Sequence, residues 1–183
     1  MTQTAGLILR LPEPSLVVLV GAAGAGKSTL AARLFPAEAI LSSDAFRRIV
    51  SGDEADQRAT KVAFAILHRE VDRRLALGRT TVVDATSVTP YARRGLLRRA
   101  AAHRVPAIAL VLDLAPELVL ARNQLRPGHV VPEPAVRRQL ADLRASTRNG
   151  ALHAEGFAVV HAVRTASDLD LLSIELVRNP SGG

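Results

Sequence analysis

The sequence predicts an α/β domain built on a five-stranded parallel sheet, doubly wound, with helices on both faces and right-handed crossovers. Three observations predict it. Short apolar runs alternate with helical patterns along most of the 183 residues. Prolines and glycines fall where helices start and stop. The first apolar run leads into a glycine-rich turn that opens a helix.

A chain of this length can bury a sizeable core as one domain. One domain is expected over 1–183, with 1–14 as a lead-in, 115–149 as a helical lid region and 178–183 as a tail. The apolar content of 48% and charged content of 22% belong to a globular chain. No apolar run reaches the roughly 18 residues of a membrane span, and no signal-peptide apolar segment is visible near the start. The absence of cysteine excludes disulfides and thiolate metal sites. A cytoplasmic protein with no membrane association is therefore expected. The five histidines are scattered, so no structural metal is expected. A net charge of +7 and a pI of 11.2 point to a polyanionic partner. A general bias towards alanine and arginine raises the pI as well.

Leu16–Val20 is the first expected strand. It runs into Gly21-Ala22-Ala23-Gly24-Ala25-Gly26-Lys27-Ser28, which fits G-x-x-x-x-G-K-[ST] with a strand before it and a helix, 27–34, after it. The glycines let backbone N–H groups turn around a polyphosphate, and the helix N-terminus adds its positive end. Lys27 is expected to reach the β- and γ-phosphates, and the Ser28 hydroxyl to ligate Mg²⁺. Thr29 completes the set from Gly21 onward that would hold an NTP such as ATP. The chain has only two lysines, Lys27 and Lys61. One of them stands where the loop needs a compact point charge, not a planar fork.

The second strand, Ala39–Ser42, is followed by helices near 44–50 and 54–77. Asp44 ends "AILSSD" and faces the same crevice as Lys27, where a carboxylate can take the proton of an acceptor hydroxyl. Ser43 and Asp44 read equally well as a helix cap working with Arg47 and Arg48. The third strand, Thr80–Asp84, closes on an acid that would orient the Mg²⁺ hydration shell, with helix capping as the other reading. Gly78 suits a helix stop before it. The helix near 90–103 starts at Pro90 and carries Leu96, Leu97, Ala100 and Ala101 as its core stripe, with its remaining arginines exposed. Ala107–Asp113 is the fourth strand, followed by helices near 115–126 and 133–149 that begin at Pro116 and Pro134. Arg122 and Arg126 are four apart on one helix face. They either close over a triphosphate and stabilise the transferring group or form a solvated basic face. Gly150 suits the stop before the last strand, Phe157–His161, and a helix near 167–177 follows.

Taken together, "GAAGAGKST", "SSDAFRR", "DEADQ", "HREVDRRLALGRTTVVDATSV" and "ARNQLR" resemble bacterial 5′-hydroxyl polynucleotide kinases. The likeness is to the kinase module of the RNA end-healing kinase–phosphatase–ligase family in particular, and runs from about residue 16 to 165. It implies a P-loop NTPase fold with a helical lid and Mg²⁺-dependent transfer of an NTP γ-phosphate to a 5′-OH end of RNA or DNA. Lys27 and Ser28 are then phosphate and metal contacts, and Asp44 is the general base. Arg47 lies near the acceptor end, and Arg122 and Arg126 are lid arginines that also touch the nucleotide. Ser87 stands where the family often has Asn, and Ala121 where it has an acid. No phosphatase or ligase sequence follows, so a stand-alone kinase or an excised domain is expected, with those repair components in cis or in trans. Two other classes fit the same loop. One is a kinase for a small hydroxyl acceptor (a sugar, antibiotic or nucleotide-sugar), and the other is an NTP- or nucleic-acid-binding module without transfer.

Overall fold

The computed structural model describes residues 7–51, 57–127 and 130–178. In chain order the elements are β1 (Leu7–Glu13), β2 (Leu16–Val20), α1 (Lys27–Leu34), a 3-10 turn (Ala37–Ala39), β3 (Ile40–Ser42), α2 (Ser43–Ser51), α3 (Gln57–Ala76) and β4 (Thr81–Asp84). There follow α4 (Pro90–Ala102), β5 (Ala107–Leu112), α5 (Pro116–Gln124), α6 (Glu133–Ser146), α7 (Ala151–Glu155), β6 (Val159–Val163), α8 (Ala166–Leu171) and β7 (Leu172–Arg178). The five-stranded sheet has the order β3-β4-β2-β5-β6, and every neighbouring pair in it is parallel.

The twofold alternation of side chains decides what packs on each face. From β5, Ile108 and Leu110 join Ala31 and Phe35 of the α1 side, and Leu112 lies in an adjoining cluster on that face. Ala107, Ala109 and Val111 instead meet Leu67, Val71 and Leu75 of α3 and Leu96 and Ala100 of α4. All five residues of β2 are buried, as a parallel strand covered on both faces requires. Each Leu or Val so buried stabilises by about 1.5–3 kcal/mol. Helix α6 does not stay on one side. Its Val136 and Leu140 join the α1-side cluster and its Leu143 the opposite one, so it passes over the carboxyl ends of the strands.

Several expectations need correction. The lead-in is not irregular: 7–13 form β1, which pairs in parallel with β7 as a separate two-stranded sheet. Pro12 is tolerated because β1 is an edge strand. The helix expected over 167–177 stops at Leu171, and the remainder is β7. Leu169 and Leu172 fit a helical spacing, but Leu172, Ile174 and Leu176 alternate, and the alternation wins once β1 offers a pairing edge. Arg178 belongs to β7 and not to the tail, whose other residues lie outside the described ones. The helix expected to reach 149 ends at Ser146, and a further helix, α7, precedes β6. In α4, Ala101 is exposed and Arg93 is buried completely, the reverse of the expectation. The "DEADQ" stretch, 53–57, falls outside the described residues except for the backbone of Gln57. Among the described residues no helix is long and apolar enough to cross a membrane.

Candidate active site

The loop after β2 takes its shape from Gly24 and Gly26, whose φ values of 85° and 93° lie in the left-handed region that side chains disfavour. A Cβ at Gly24 would also run into the carbonyl of Val119 and stand 2.9 Å from the Cβ of Asn123. Glycine there lets α5 pack directly on the loop. Helix α1 begins at Lys27 with no side-chain cap, so its first amides and its positive end are open to an anion. Gly21 to Ala23 are buried, as are Ala25 and Lys27, whereas Ser28 and Thr29 reach the surface.

Lys27 Nζ donates to the carbonyls of Gly21 and Ala22, each at 2.9 Å. Burial pulls its pKa down from 10.5 to about 8, against the opposing pull of Asp84 and Asp44 and with a smaller push from Arg126. These groups therefore share one electrostatic environment. Ser28 Oγ donates to Asp84 Oδ2 at 2.6 Å, joining the start of α1 to the end of β4. Asp84 is buried, and Ser42 of β3 is its register partner. A hydroxyl and a carboxylate at this separation are the hard oxygen donors that Mg²⁺ takes while keeping waters and phosphates in its other positions.

Asp44 occupies the first turn of α2. The capping of that helix falls elsewhere, because the Ala45 N–H donates to Ser42 Oγ at 3.3 Å. The Asp44 carboxylate instead accepts from Arg47 on one oxygen and from Arg126 Nη2 on the other, at 3.1 Å. Burial works against its ionisation, but the guanidiniums of Arg47 and Arg126 outweigh that and hold the group below the ordinary carboxylate value.

Arg126 lies beyond the last residue of α5, not on the helix face that the fourfold spacing suggested, and this position lets it reach across to Asp44. Arg122 stays on α5, its Nη1 3.7 Å from the position a Gly26 Cβ would take. Thus Arg122 is beside the loop and Arg126 beside the Asp44 carboxylate. Between them, buried Asn123 fixes the turn that follows, donating to Val131 O at 2.7 Å and accepting from Val131 N at 3.3 Å.

Two contributors were not among those expected from the sequence. Gln139 of α6 accepts the Ala23 N–H at 2.8 Å, tying the crossing helix to the phosphate loop. No local spacing marks a contact made 116 residues apart. Arg93 forms two bonds to Glu155, at 2.6 and 2.8 Å, and donates to Ser87 O at 2.9 Å. Ser87 has φ of 47°, and the neighbouring Thr86 carbonyl accepts from Gly21 N at 3.0 Å. Arg93 thus supports the turn that closes over the base of the loop. A signal existed: it is the third residue after Pro90, on the face that carries Leu96 and Ala100 into the core.

No curated protein sequence matches the chain. Among solved structures it is similar to a chain of the Pnkp1/Rnl/Hen1 RNA repair complex, with a TM-score of 0.66 and 22% identity over 74% of this chain and 46% of that one. It therefore spans less than half of that relative. It is also similar to a gluconokinase from Sinorhizobium meliloti 1021, with a TM-score of 0.55 and 20% identity over 87% of each chain. Chaetomium thermophilum Kti12 in complex with ADP-AlF3 has a TM-score of 0.59 at 18% identity, covering 85% of this chain and 93% of that one. A family model described as an AAA domain matches residues 16–149, a span that holds the loop, both aspartates and the two arginines beyond β5. The chain belongs to this AAA domain family and has the P-loop kinase fold.

Proposed function

We propose that the protein is a phosphotransferase that moves the γ-phosphate of ATP or another NTP to a 5′-hydroxyl end of RNA or DNA. The observation that carries this reading is the Asp44 carboxylate, held by Arg47 and Arg126 beside the phosphate loop and free of any capping duty. A module that only binds nucleotide has no use for such a group. In the proposed reaction the acceptor oxygen forms its bond to the γ-phosphorus as the bond to the β-phosphate oxygen breaks. Asp44 takes the hydroxyl proton, and the departing charge stays on the β-phosphate. The loop amides and Lys27 hold the phosphates, with Thr29 behind them on α1. Arg122 and Arg126, in the 115–149 region acting as a lid, neutralise charge on the transferring group. Arg47 orients Asp44 at the acceptor end. Ser28 and Asp84 would hold Mg²⁺, which when bound draws charge from the β- and γ-phosphates.

The polynucleotide acceptor is favoured by the charge of +7 and by the set of sequence stretches around Asp44 and Arg126. A single-domain kinase acting in the cytoplasm beside phosphatase and ligase repair components suits both. One observation favours a small acceptor instead: the end-to-end likeness to a gluconokinase. Thin-layer analysis of labelled phosphate, offered 5′-OH oligonucleotides beside gluconate and other small hydroxyl compounds, separates the two. Label on the oligonucleotide alone is the expected result. Label on a small hydroxyl alone overturns the reading, and NTP binding without transfer to any acceptor leaves only the binding module.

A further inference from the structure

A second polar crevice opens at the same end of the sheet, one strand beyond the phosphate loop. It encloses about 360 Å³ against the carboxyl ends of β5 and β6, under the end of α6. Arg144, Arg148 and Arg164 line it together with Asp113, Thr147 and Asn149. Val111 and Asp113 of its wall flank Leu112, whose side chain faces the other side of the sheet and whose Cβ would lie 3.2 Å from a Cβ at Gly21. Neighbouring arginines on the same framework are engaged, Arg93 with Glu155 and Arg137 with Glu133. Among the described residues, the guanidiniums of Arg144, Arg148 and Arg164 have no hydrogen bond or ion pair, nor has the Asp113 carboxylate. Three unpaired arginines and one unpaired carboxylate, from the end of α6 and from the residues after β5 and β6, therefore share one concave surface.

We infer that this crevice binds the ribose-phosphate backbone of the acceptor, single-stranded RNA, several nucleotides from its 5′ end. The inference rests on the acceptor class proposed above and deepens it. The chemistry selects the ligand. Three guanidiniums call for phosphates, but a carboxylate among them repels a bare anion. A ribonucleotide chain satisfies both, because it carries phosphates for the arginines and a 2′-hydroxyl that can donate to Asp113. The separation fits as well. The Asp44 carboxylate follows β3, and the crevice lies between β5 and β6 at the far side of the order β3-β4-β2-β5-β6. At about 4.8 Å per strand that is roughly 15–20 Å, beyond one nucleotide and within a short oligonucleotide. The crevice then has no contact with a mononucleotide acceptor and several with a ten-nucleotide one.

The test uses the full chain carrying Arg144→Gln, Arg148→Gln and Arg164→Gln together, all at exposed positions, so that the aliphatic stems and the fold remain. Fluorescence anisotropy with a labelled 5′-phosphorylated RNA ten-mer measures binding apart from turnover. Steady-state transfer is measured with a 5′-OH ten-mer and with a nucleoside 3′-monophosphate. The triple variant should bind the ten-mer on the order of tenfold or more weakly. Its slope of log affinity against log salt should be shallower by about two, at about 0.7 per phosphate lost from a single strand. Its kcat and KM for the mononucleotide should match wild type. Asp113→Ala should narrow the preference for the RNA ten-mer over its DNA counterpart. Unchanged ten-mer affinity and salt slope in the triple variant overturn the inference, and so does a KM that rises for NTP in place of RNA. If wild type phosphorylates no nucleotide at all while the triple variant still loses RNA binding, the crevice stands and the kinase assignment fails.

Discussion

Replacing Asp44 by Asn separates the role of base from that of scaffold. The substitution keeps the size of the side chain and one acceptor oxygen but removes the charge. It leaves the start of α2 intact, because the cap bond runs from Ala45 N to Ser42 Oγ. Arg47 and Arg126 donate to different oxygens of Asp44; Asn keeps one of these bonds, without the ion pair, and loses the other, because its amide NH2 cannot accept. Reduced by partial exposure, that is a stability loss of about 1–2 kcal/mol. The effect on chemistry should be larger. A general base contributes 10²–10⁴-fold, or about 3–5 kcal/mol of barrier. Asp44→Asn should therefore bind a non-hydrolysable NTP with near-normal affinity by titration calorimetry while losing at least about a hundredfold in transfer to a 5′-OH oligonucleotide. Ser42→Ala is the matching control, expected to lose about 1 kcal/mol of stability and no transfer. The depressed pKa of Asp44 adds a pH criterion. Its ionised form contributes stability above the unfolded value, and that contribution is lost only as pH falls through the lower folded value. Asp44 should then impose its acid limb on the rate at lower pH than an ordinary aspartate would. An Asn variant that transfers at the wild-type rate would show that the proton leaves by another route.

Three further outcomes are expected. Lys27 has a pKa of about 8 in the free protein, and phosphates bound beside it will raise that value, so NTP binding should take up protons near pH 8 to 9 and few near pH 6.5. Calorimetry in buffers of different ionisation enthalpy measures this, and equal uptake at both pH values contradicts it. For the free protein the unfolded chain holds the Lys27 proton between about 8 and 10.5 and the folded chain does not, so this residue makes stability rise with pH across that window. Arg122→Ala and Arg126→Ala should each lower kcat on the order of tenfold or more with an unchanged circular dichroism spectrum; full activity in both would favour a solvated basic face. Arg93→Met strands Glu155 and frees the Ser87 turn, and should destabilise by about 3–5 kcal/mol in denaturant unfolding, whereas a loss below 1 kcal/mol would mean that water replaces the guanidinium.

The five parallel strands, the loop and the positions of Asp44 and Asp84 were legible because each is local. An apolar run, a G-K-S register and an acid at a strand end all lie within a few residues of one another. What stayed hidden depends on distant pairing. The spacing of Arg122 and Arg126 suggested a shared helix face, but α5 ends at Gln124 and Asn123 turns the chain onto Val131. The sequence offered Ser43 and Asp44 as the cap of α2, and the choice of Ser42 instead rests on one hydrogen bond, from Ala45 N. Arg93 looked like one more exposed arginine in a basic helix because Glu155 lies 62 residues away. The alternation in 172–177 was readable as a strand only with a partner for it, and that partner lies in the first described residues of the chain.

That pairing bears on how the molecule comes to be folded. Leu7 meets Leu172 and Glu13 meets Arg178, contacts between residues 165 positions apart. Parallel pairs at such separation close slowly, since the chain between must already be ordered for the loop entropy to be bearable. Among the described elements β1 is made before and β7 after all the others, so the small sheet cannot pair until the strands of the larger one have been made. Until then Leu11, fully buried in the finished protein, lacks its partner Leu176 of β7. The small sheet is thus the last seam of the fold, and it closes only after the phosphate loop and everything that surrounds it have been made.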